Sequence, residues 1–207
     1  MDIVYFIIAL LAAYLIGSFP TAYIVARVRK GVDIRDVGSR NLGAMNVFYK
    51  VGFWWGMLVL AVDIGKGVLG VAVAHFLGTG LVGQMMAGIA VVLGHSFPVF
   101  LKFHGGRGGA ACIGILIYLM PWGIPIYAGL FGLLLLITRF PTLSYSLAFV
   151  CFPFIGWLMY DSWELAVFSI GLVLLPLLKY IPRILEMRRT GGSWKHVVYR
   201  KNLKDRL

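Results

Sequence analysis

Apolar residues run along this chain in long blocks instead of alternating with polar ones. Blocks lie near 3–27, 52–77, 81–101, 109–121, 123–139, 143–160 and 163–181. A helix needs roughly 20 mostly apolar residues to cross a bilayer, so most of these blocks predict spanning helices. A membrane barrel would show short segments of alternating character, and none is visible. The 109–139 stretch is interrupted by Pro121-Trp122-Gly123 and Pro125. It reads either as two short helices or as one span plus a re-entrant piece. The expected fold class is therefore all-α, a polytopic membrane protein of about seven transmembrane helices. Asp2 precedes the first block without a basic leader or a convincing small-residue cleavage site, so a cleaved signal peptide is not expected.

Composition sharpens this picture. Sixty per cent of the 207 residues are apolar and 13 per cent are charged. One soluble core of this length does not hide that much apolar surface. The net charge of +11 raises nucleic acid as a partner, but the distribution of the basic residues argues against it. All the Lys and Arg residues except Lys66 fall in alternate connections: 27–50, 102–107, 139–142 and the stretch after Leu178. That is a topology signal, with the basic side in the cytoplasm. It places the N-terminus outside and the C-terminus inside, which requires an odd number of spans. The domain reading is a seven-span membrane domain over 1–182 followed by a basic cytoplasmic tail over 183–207. The two cysteines, Cys112 and Cys151, lie in apolar blocks and read as packing residues, without a disulfide or a metal.

Two glycine clusters fall among polar residues in connections on the basic side. One is Gly38-Ser39-Arg40-Asn41-Leu42-Gly43-Ala44-Met45-Asn46. The other is Lys102-Phe103-His104-Gly105-Gly106-Arg107-Gly108-Gly109. Glycine permits positive φ and a close approach of backbone N–H groups to a ligand. Consecutive N–H groups in such turns form an anion-binding concavity. A helix starting near Gly109 adds its positive end. Ser39, Asn41 and Asn46 offer short hydrogen-bonding side chains, while Arg40, Lys102, His104 and Arg107 offer positive charge. Together these residues predict a phosphate cradle at the membrane surface, with tight interfacial turns as the plainer alternative. Within the second block, Asp63 and Lys66 are spaced to share one helical face. They read as a packing ion pair, or as a pair whose lysine helps to hold the anion. His95 stands just before the second cluster, either as a general base or as a residue that orients the loop.

At these loops the sequence resembles the acyl-phosphate-dependent glycerol-3-phosphate acyltransferases of bacteria, the PlsY family. The resemblance is carried by Gly17-Ser18-Phe19-Pro20-Thr21-Ala22-Tyr23, by Val37 to Val47, by Asp63-Ile64-Gly65-Lys66-Gly67 and by Gly94 to Ala111, in that order. It implies transfer of a fatty acyl group from acyl phosphate to the sn-1 hydroxyl of glycerol 3-phosphate, giving lysophosphatidic acid for phospholipid synthesis. It implies a multi-pass protein of the bacterial inner membrane with its active face in the cytoplasm. No cofactor, metal or acyl-enzyme is expected, and the acceptor's own phosphate assists its deprotonation. The implied catalytic set is Ser39, Asn41, Asn46, Arg107 and His95. The implied substrate-binding set is Gly38, Arg40, Gly43, Lys66, Lys102, His104, Gly105, Gly106 and Gly108. Arg139 and Thr142, which match a family arginine and hydroxyl residue, join that second set as acceptor contacts. The implied partners are the two substrates, membrane lipid and an enzyme that produces acyl phosphate.

Several positions depart from the family pattern. The first loop usually reads G-S-G-N-P-G-A-T-N, but here Arg40, Leu42 and Met45 replace glycine, proline and threonine. A basic residue usual just after that motif is missing, with Phe48-Tyr49 there and Lys50 following. The second loop usually reads F-K-G-G-K-G-V-A-T, with His104 and Arg107 here in place of lysines. Lys179-Tyr180-Ile181-Pro182-Arg183-Ile184 stands where the family has H-R-E-N-I. This pattern fits a divergent paralogue. It leaves open a non-catalytic lipid- or phosphate-binding protein and an acyltransferase with a different acceptor.

Overall fold

The computed structural model describes residues 2–191 and Trp194. Among the described residues all regular structure is helical. The chain divides into two compact units, Met1–Leu119 and Met120–Leu207.

The first unit holds α1 (Ile3–Ser18), α2 (Thr21–Lys30), α3 (Ala44–Lys50), α4 (Phe53–Phe76), α5 (Gly80–Ser96) and α6 (Gly109–Leu119). Asp2 caps α1, its carboxylate accepting from the Val4 N–H at 2.9 Å. Ala9, Ala13 and Gly17 recur every fourth residue and are buried along one side of α1. That stripe lets α1 lie against α5 with little between the backbones. A methyl group added at Gly17 would fall on the Val91 carbonyl, and one at Gly94 would fall on the Tyr14 carbonyl. The pairing of α4 with α6 is built alike, with Gly114 pressed against the Ile64 carbonyl. Apolar tails solvate a lipid-facing leucine as well as a neighbouring helix does. Close backbone packing through small residues therefore supplies much of the attraction between membrane helices.

The first apolar block is not the single helix expected over 3–27. It breaks at Phe19-Pro20 and resumes as α2. Pro20 has no N–H to donate and excludes its predecessor from the helical region, and Phe19 accordingly sits at φ −58°, ψ 120°. α2 ends at Gly31, whose φ of 68° is left-handed and whose N–H reaches the Arg27 carbonyl at 3.0 Å.

The second unit opens with a short turn at Pro121–Gly123, at the expected interruption. It continues with α7 (Ile124–Thr138), α8 (Pro141–Ala148), α9 (Cys151–Leu158) and α10 (Trp163–Gly191). The helix expected over 143–160 is two helices, α8 and α9. Pro153 cannot donate to the Phe149 carbonyl four residues back, and the ladder is interrupted there. α10 runs past its expected end at 181, through Pro176 and Pro182, to Gly191. The expected boundary between 182 and 183 thus falls inside one helix. Beyond Gly191, the expected basic tail lies outside the described residues except for Trp194, over whose ring Arg188 is placed at 5.6 Å.

Among the described residues six helical segments are long and apolar enough to cross a membrane, counting Ile3–Lys30 as one. The remaining apolar helix, α6, has 11 residues. It is only about 16 Å long at 1.5 Å per residue, roughly half the hydrocarbon thickness. The stretch expected over 109–139 is therefore a short helix, a turn and a second helix.

Candidate active site

The first glycine loop is organised by one buried side chain. Asn46, in α3, accepts from the Ser39 N–H at 3.1 Å. Its amide donates to the carbonyls of Ile34 at 3.0 Å, Val37 at 3.0 Å and Asn41 at 3.2 Å. The expectation was of a catalytic hydrogen-bond donor. The structure gives the Asn46 amide to the loop backbone, so the residue shapes the cradle from within. Gly38 takes φ 63°, and a side chain there would strike the Asn46 oxygen. Arg40 takes φ 57°, a left-handed conformation that costs a non-glycine residue roughly 1–2 kcal/mol. Glycine, usual in the family at this place, adopts it freely. Ser39 and Asn41 are half-buried, Arg40 is exposed, and the Asn41 amide lies against Gly43.

Ahead of this loop, Arg35 clasps Asp33, Nη2 to Oδ2 at 2.6 Å. The hydrogen bond from Arg35 holds the Asp33 carboxyl below its ordinary range, and the same contact raises the Arg35 guanidinium.

Lys50 was not among the expected site residues. Its Cε and Cγ lie 2.8 and 3.0 Å from where a Gly38 side chain would begin. Its stem therefore runs along the first loop and brings a cation there, one position after the place where the family's basic residue is missing. The only sequence signal for this is Lys50 itself, which falls out of register with the motif.

The second loop follows α5. After Pro98 a single 3₁₀ turn, Val99–Leu101, leads into Lys102 and Phe103 at φ 52° and 62°. Hydrogen bonds from Phe103 N–H to the Pro98 carbonyl (3.0 Å) and from His104 N–H to the Leu101 carbonyl (3.1 Å) close this turn. His104 Nδ1 lies 2.6 Å from the Lys102 carbonyl oxygen. Lys102 and His104 are exposed, and Arg107 is half-buried. Gly105 packs on the carbonyls of His95 and Ser96. Gly106 donates its N–H to the His95 carbonyl at 3.0 Å. Gly108, at φ 89°, hands the chain to α6, whose first free amides and positive dipole end follow directly.

The two loops meet at Gly106. A methyl group there would collide with the Leu42 carbonyl of the first loop and with the His95 ring. Two segments some 60 residues apart in sequence are thus packed backbone to backbone, a contact that residue spacing does not encode. The His95 carbonyl accepts from the second loop, and its ring lies beside Gly106.

Lys66 and Asp63 form the expected pair, Nζ to Oδ1 at 2.6 Å, both buried. The Lys66 ammonium also donates to the Phe19 carbonyl at 2.7 Å, where the helix break has freed that oxygen. His95 Nδ1 lies 4.0 Å from the same Asp63 oxygen. A buried ion pair is tolerable when further hydrogen bonds satisfy its members, as here. A small, partly open cavity is lined by Ser18, Thr21, Leu42, Asp63, Lys66 and His95. It lies between the helix break, the first loop and the ion pair.

Arg139 and Thr142 belong to the second unit. Arg139, exposed at φ 54°, closes α7. The turn is tied by the Thr138 and Ser144 hydroxyls at 2.9 Å and by the Phe140 N–H to the Thr138 hydroxyl at 3.1 Å. Phe140 packs with Tyr180 and Met187 of α10. The segment standing in place of H-R-E-N-I is therefore helical, and its Tyr180 is an apolar support for the Arg139 turn.

This fold defines a polytopic, all-helical membrane protein with two glycine loops assembled into one surface. Residues 7–190 match the family of the glycerol-3-phosphate acyltransferases, and the chain belongs to that family. It is 55% identical over 203 residues to "Glycerol-3-phosphate acyltransferase 2" of Dehalococcoides mccartyi, covering 97% of each chain. Among solved structures it resembles PlsY, an integral membrane glycerol 3-phosphate acyltransferase. The glycerol 3-phosphate form matches with TM-score 0.82 and 28% identity, over 90% of this chain and 92% of that one. The lysophosphatidic acid form matches with TM-score 0.75 and 26% identity over the same shares.

Proposed function

We infer that this membrane protein is a glycerol-3-phosphate acyltransferase that makes lysophosphatidic acid for phospholipid synthesis, with acyl phosphate as its donor. The observation that carries the donor assignment is the junction of the two glycine loops at Gly106 and Leu42. It gathers backbone amides, Ser39, Arg107 and the Lys50 stem on one unit that also carries apolar helices suited to an acyl tail.

An acyl phosphate is already activated, so the protein needs mainly to position the reactants and stabilise charge. The sn-1 hydroxyl oxygen attacks the acyl carbonyl, and the carbon–oxygen bond to phosphate breaks. Inorganic phosphate departs with the bonding pair, and the hydroxyl proton passes to a phosphate oxygen. In this reading the loop amides, Ser39, Asn41 and Arg107 hold the leaving phosphate. Gly38, Gly43, Gly105 and Gly108 let the backbone come close. Arg40, Lys102 and His104 add positive potential at the rim, and Lys66 adds it from below. Arg139 and Thr142 hold the acceptor. The basic connections support a cytoplasmic position for this face in the bacterial inner membrane, and an acyl-phosphate-producing enzyme on that side would supply the donor.

The test is phosphate release from palmitoyl phosphate by the purified protein, with and without glycerol 3-phosphate. Acceptor-dependent release together with lysophosphatidic acid supports the whole reading. Release only with another acceptor moves the acceptor assignment, and binding without consumption removes the enzyme.

Gly106→Ala is expected to lower kcat/KM by roughly 100-fold, because both obstacles to the new methyl, the Leu42 carbonyl and the His95 ring, belong to the cradle. Steady-state kinetics checks this, and unchanged kinetics would show that the loop junction is not the reaction centre.

A further inference from the structure

The cavity at the helix break contains an unused polar group. Thr21 Oγ1 is buried and has no hydrogen-bond partner among the described residues, and Thr21 lines the cavity with only 6% of its surface exposed. A buried hydroxyl without a partner is costly, and native structures rarely leave one. Lys66 lines the same cavity. An ammonium carries three protons, and two of those on Lys66 go to Asp63 and Phe19. The space holds about one water-sized molecule. Its walls present a hydroxyl, an ammonium and a carboxylate, which together offer the two to four polar partners that a buried water requires.

We propose that this cavity is a built site for one structural water, bridging Thr21 Oγ1 and the Lys66 ammonium, and that Thr21 is a positioning residue for the glycine-loop cradle. The bridge ties the start of α2 to the ion pair on α4. Across the same cavity stand Leu42, whose carbonyl meets Gly106, and His95, whose ring and carbonyl support Gly106. Loss of the water loosens the floor on which both loops rest. Thr21 touches neither substrate and acts through this floor. Only the kinetic part of the proposal rests on the acyltransferase reading.

The sign of one melting shift separates the alternatives. Valine matches threonine in shape and lacks the hydroxyl. If the cavity is dry, Thr21→Val removes an unsatisfied group, and the midpoint of thermal unfolding stays level or rises. If the water bridge exists, Thr21→Val deprives the water and Lys66 of a partner, and the midpoint falls by about 2–4 °C. Thr21→Ser keeps the hydroxyl. The expected kinetic result is a loss of about fivefold in kcat/KM for Thr21→Val, restored by Thr21→Ser. A Thr21→Val protein melting at or above the wild-type midpoint overturns the water site. A Thr21→Val protein that melts lower but keeps wild-type kcat/KM overturns the positioning role. Absence of acyl transfer in the wild type would sink the functional reading alone, because the melting comparison needs no turnover.

Discussion

Replacing Arg107 with alanine is expected to lower kcat/KM for acyl transfer by about two to three orders of magnitude. Arg107 is half-buried between Gly106, at the junction of the loops, and Gly108, at the start of α6. A phosphate leaving an acyl carbon gains charge as the bond breaks, so a fixed cation there acts most strongly in the transition state. Arg107→Lys keeps the charge but loses the planar fork of donors. It is expected to fall between wild type and alanine. Initial rates with palmitoyl phosphate, measured alongside unfolding midpoints, check both variants. Full turnover in Arg107→Ala would remove this residue from the site and leave the charge stabilisation to the loop amides.

The second large effect falls on stability and activity together. Asn46→Ala removes the partner of four backbone groups in the first loop: the Ser39 N–H and the carbonyls of Ile34, Val37 and Asn41. Leaving buried or half-buried polar groups unmade costs about 3 kcal/mol here, a drop of roughly 6–12 °C in Tm. Acyl transfer is expected to be lost as the cradle opens. Asn46→Asp is the sharper variant. It preserves shape and the acceptor for Ser39, but it turns an oxygen toward three carbonyls that previously received protons. It is expected to be at least as damaging as alanine. An Asn46→Asp protein with wild-type melting would show that the loop is held by something else.

The contrast between these two residues marks how far the sequence could be read. Arg107 and Asn46 looked alike as polar members of glycine-rich loops. Arg107 is half-buried in its loop, whereas Asn46 is buried with its amide turned to the loop backbone. That difference depends on which way a turn folds over α3, and residue spacing does not encode it. The apolar blocks were legible because lipid demands long uninterrupted runs. The Asp63–Lys66 pair was legible because a spacing of three fixes two side chains on one helical face. The break at Pro20 is invisible to hydropathy, because the apolar run continues on both sides and a missing N–H leaves no trace in it. Pro176 lies inside the block expected to be helical, and the helix continues through Pro182 as well, ten residues past the end that hydropathy marks. Lys50 follows the first motif one residue out of register, and only the fold brings its stem beside Gly38.

The helix break at Phe19-Pro20 changes what kind of part the first apolar segment is. A continuous hydrophobic helix at the start of a membrane protein can often be exchanged for any other stretch of similar length, since its task is only to sit in lipid. Here the break turns a backbone carbonyl toward Lys66 and places Thr21 against the cavity. A chimera carrying an unrelated, unbroken leader would insert and would leave the ammonium on α4 without one of its acceptors. The segment that resembles a generic anchor supplies an acceptor to the buried ion pair, and grafts or fusions that replace it are expected to disturb that pair.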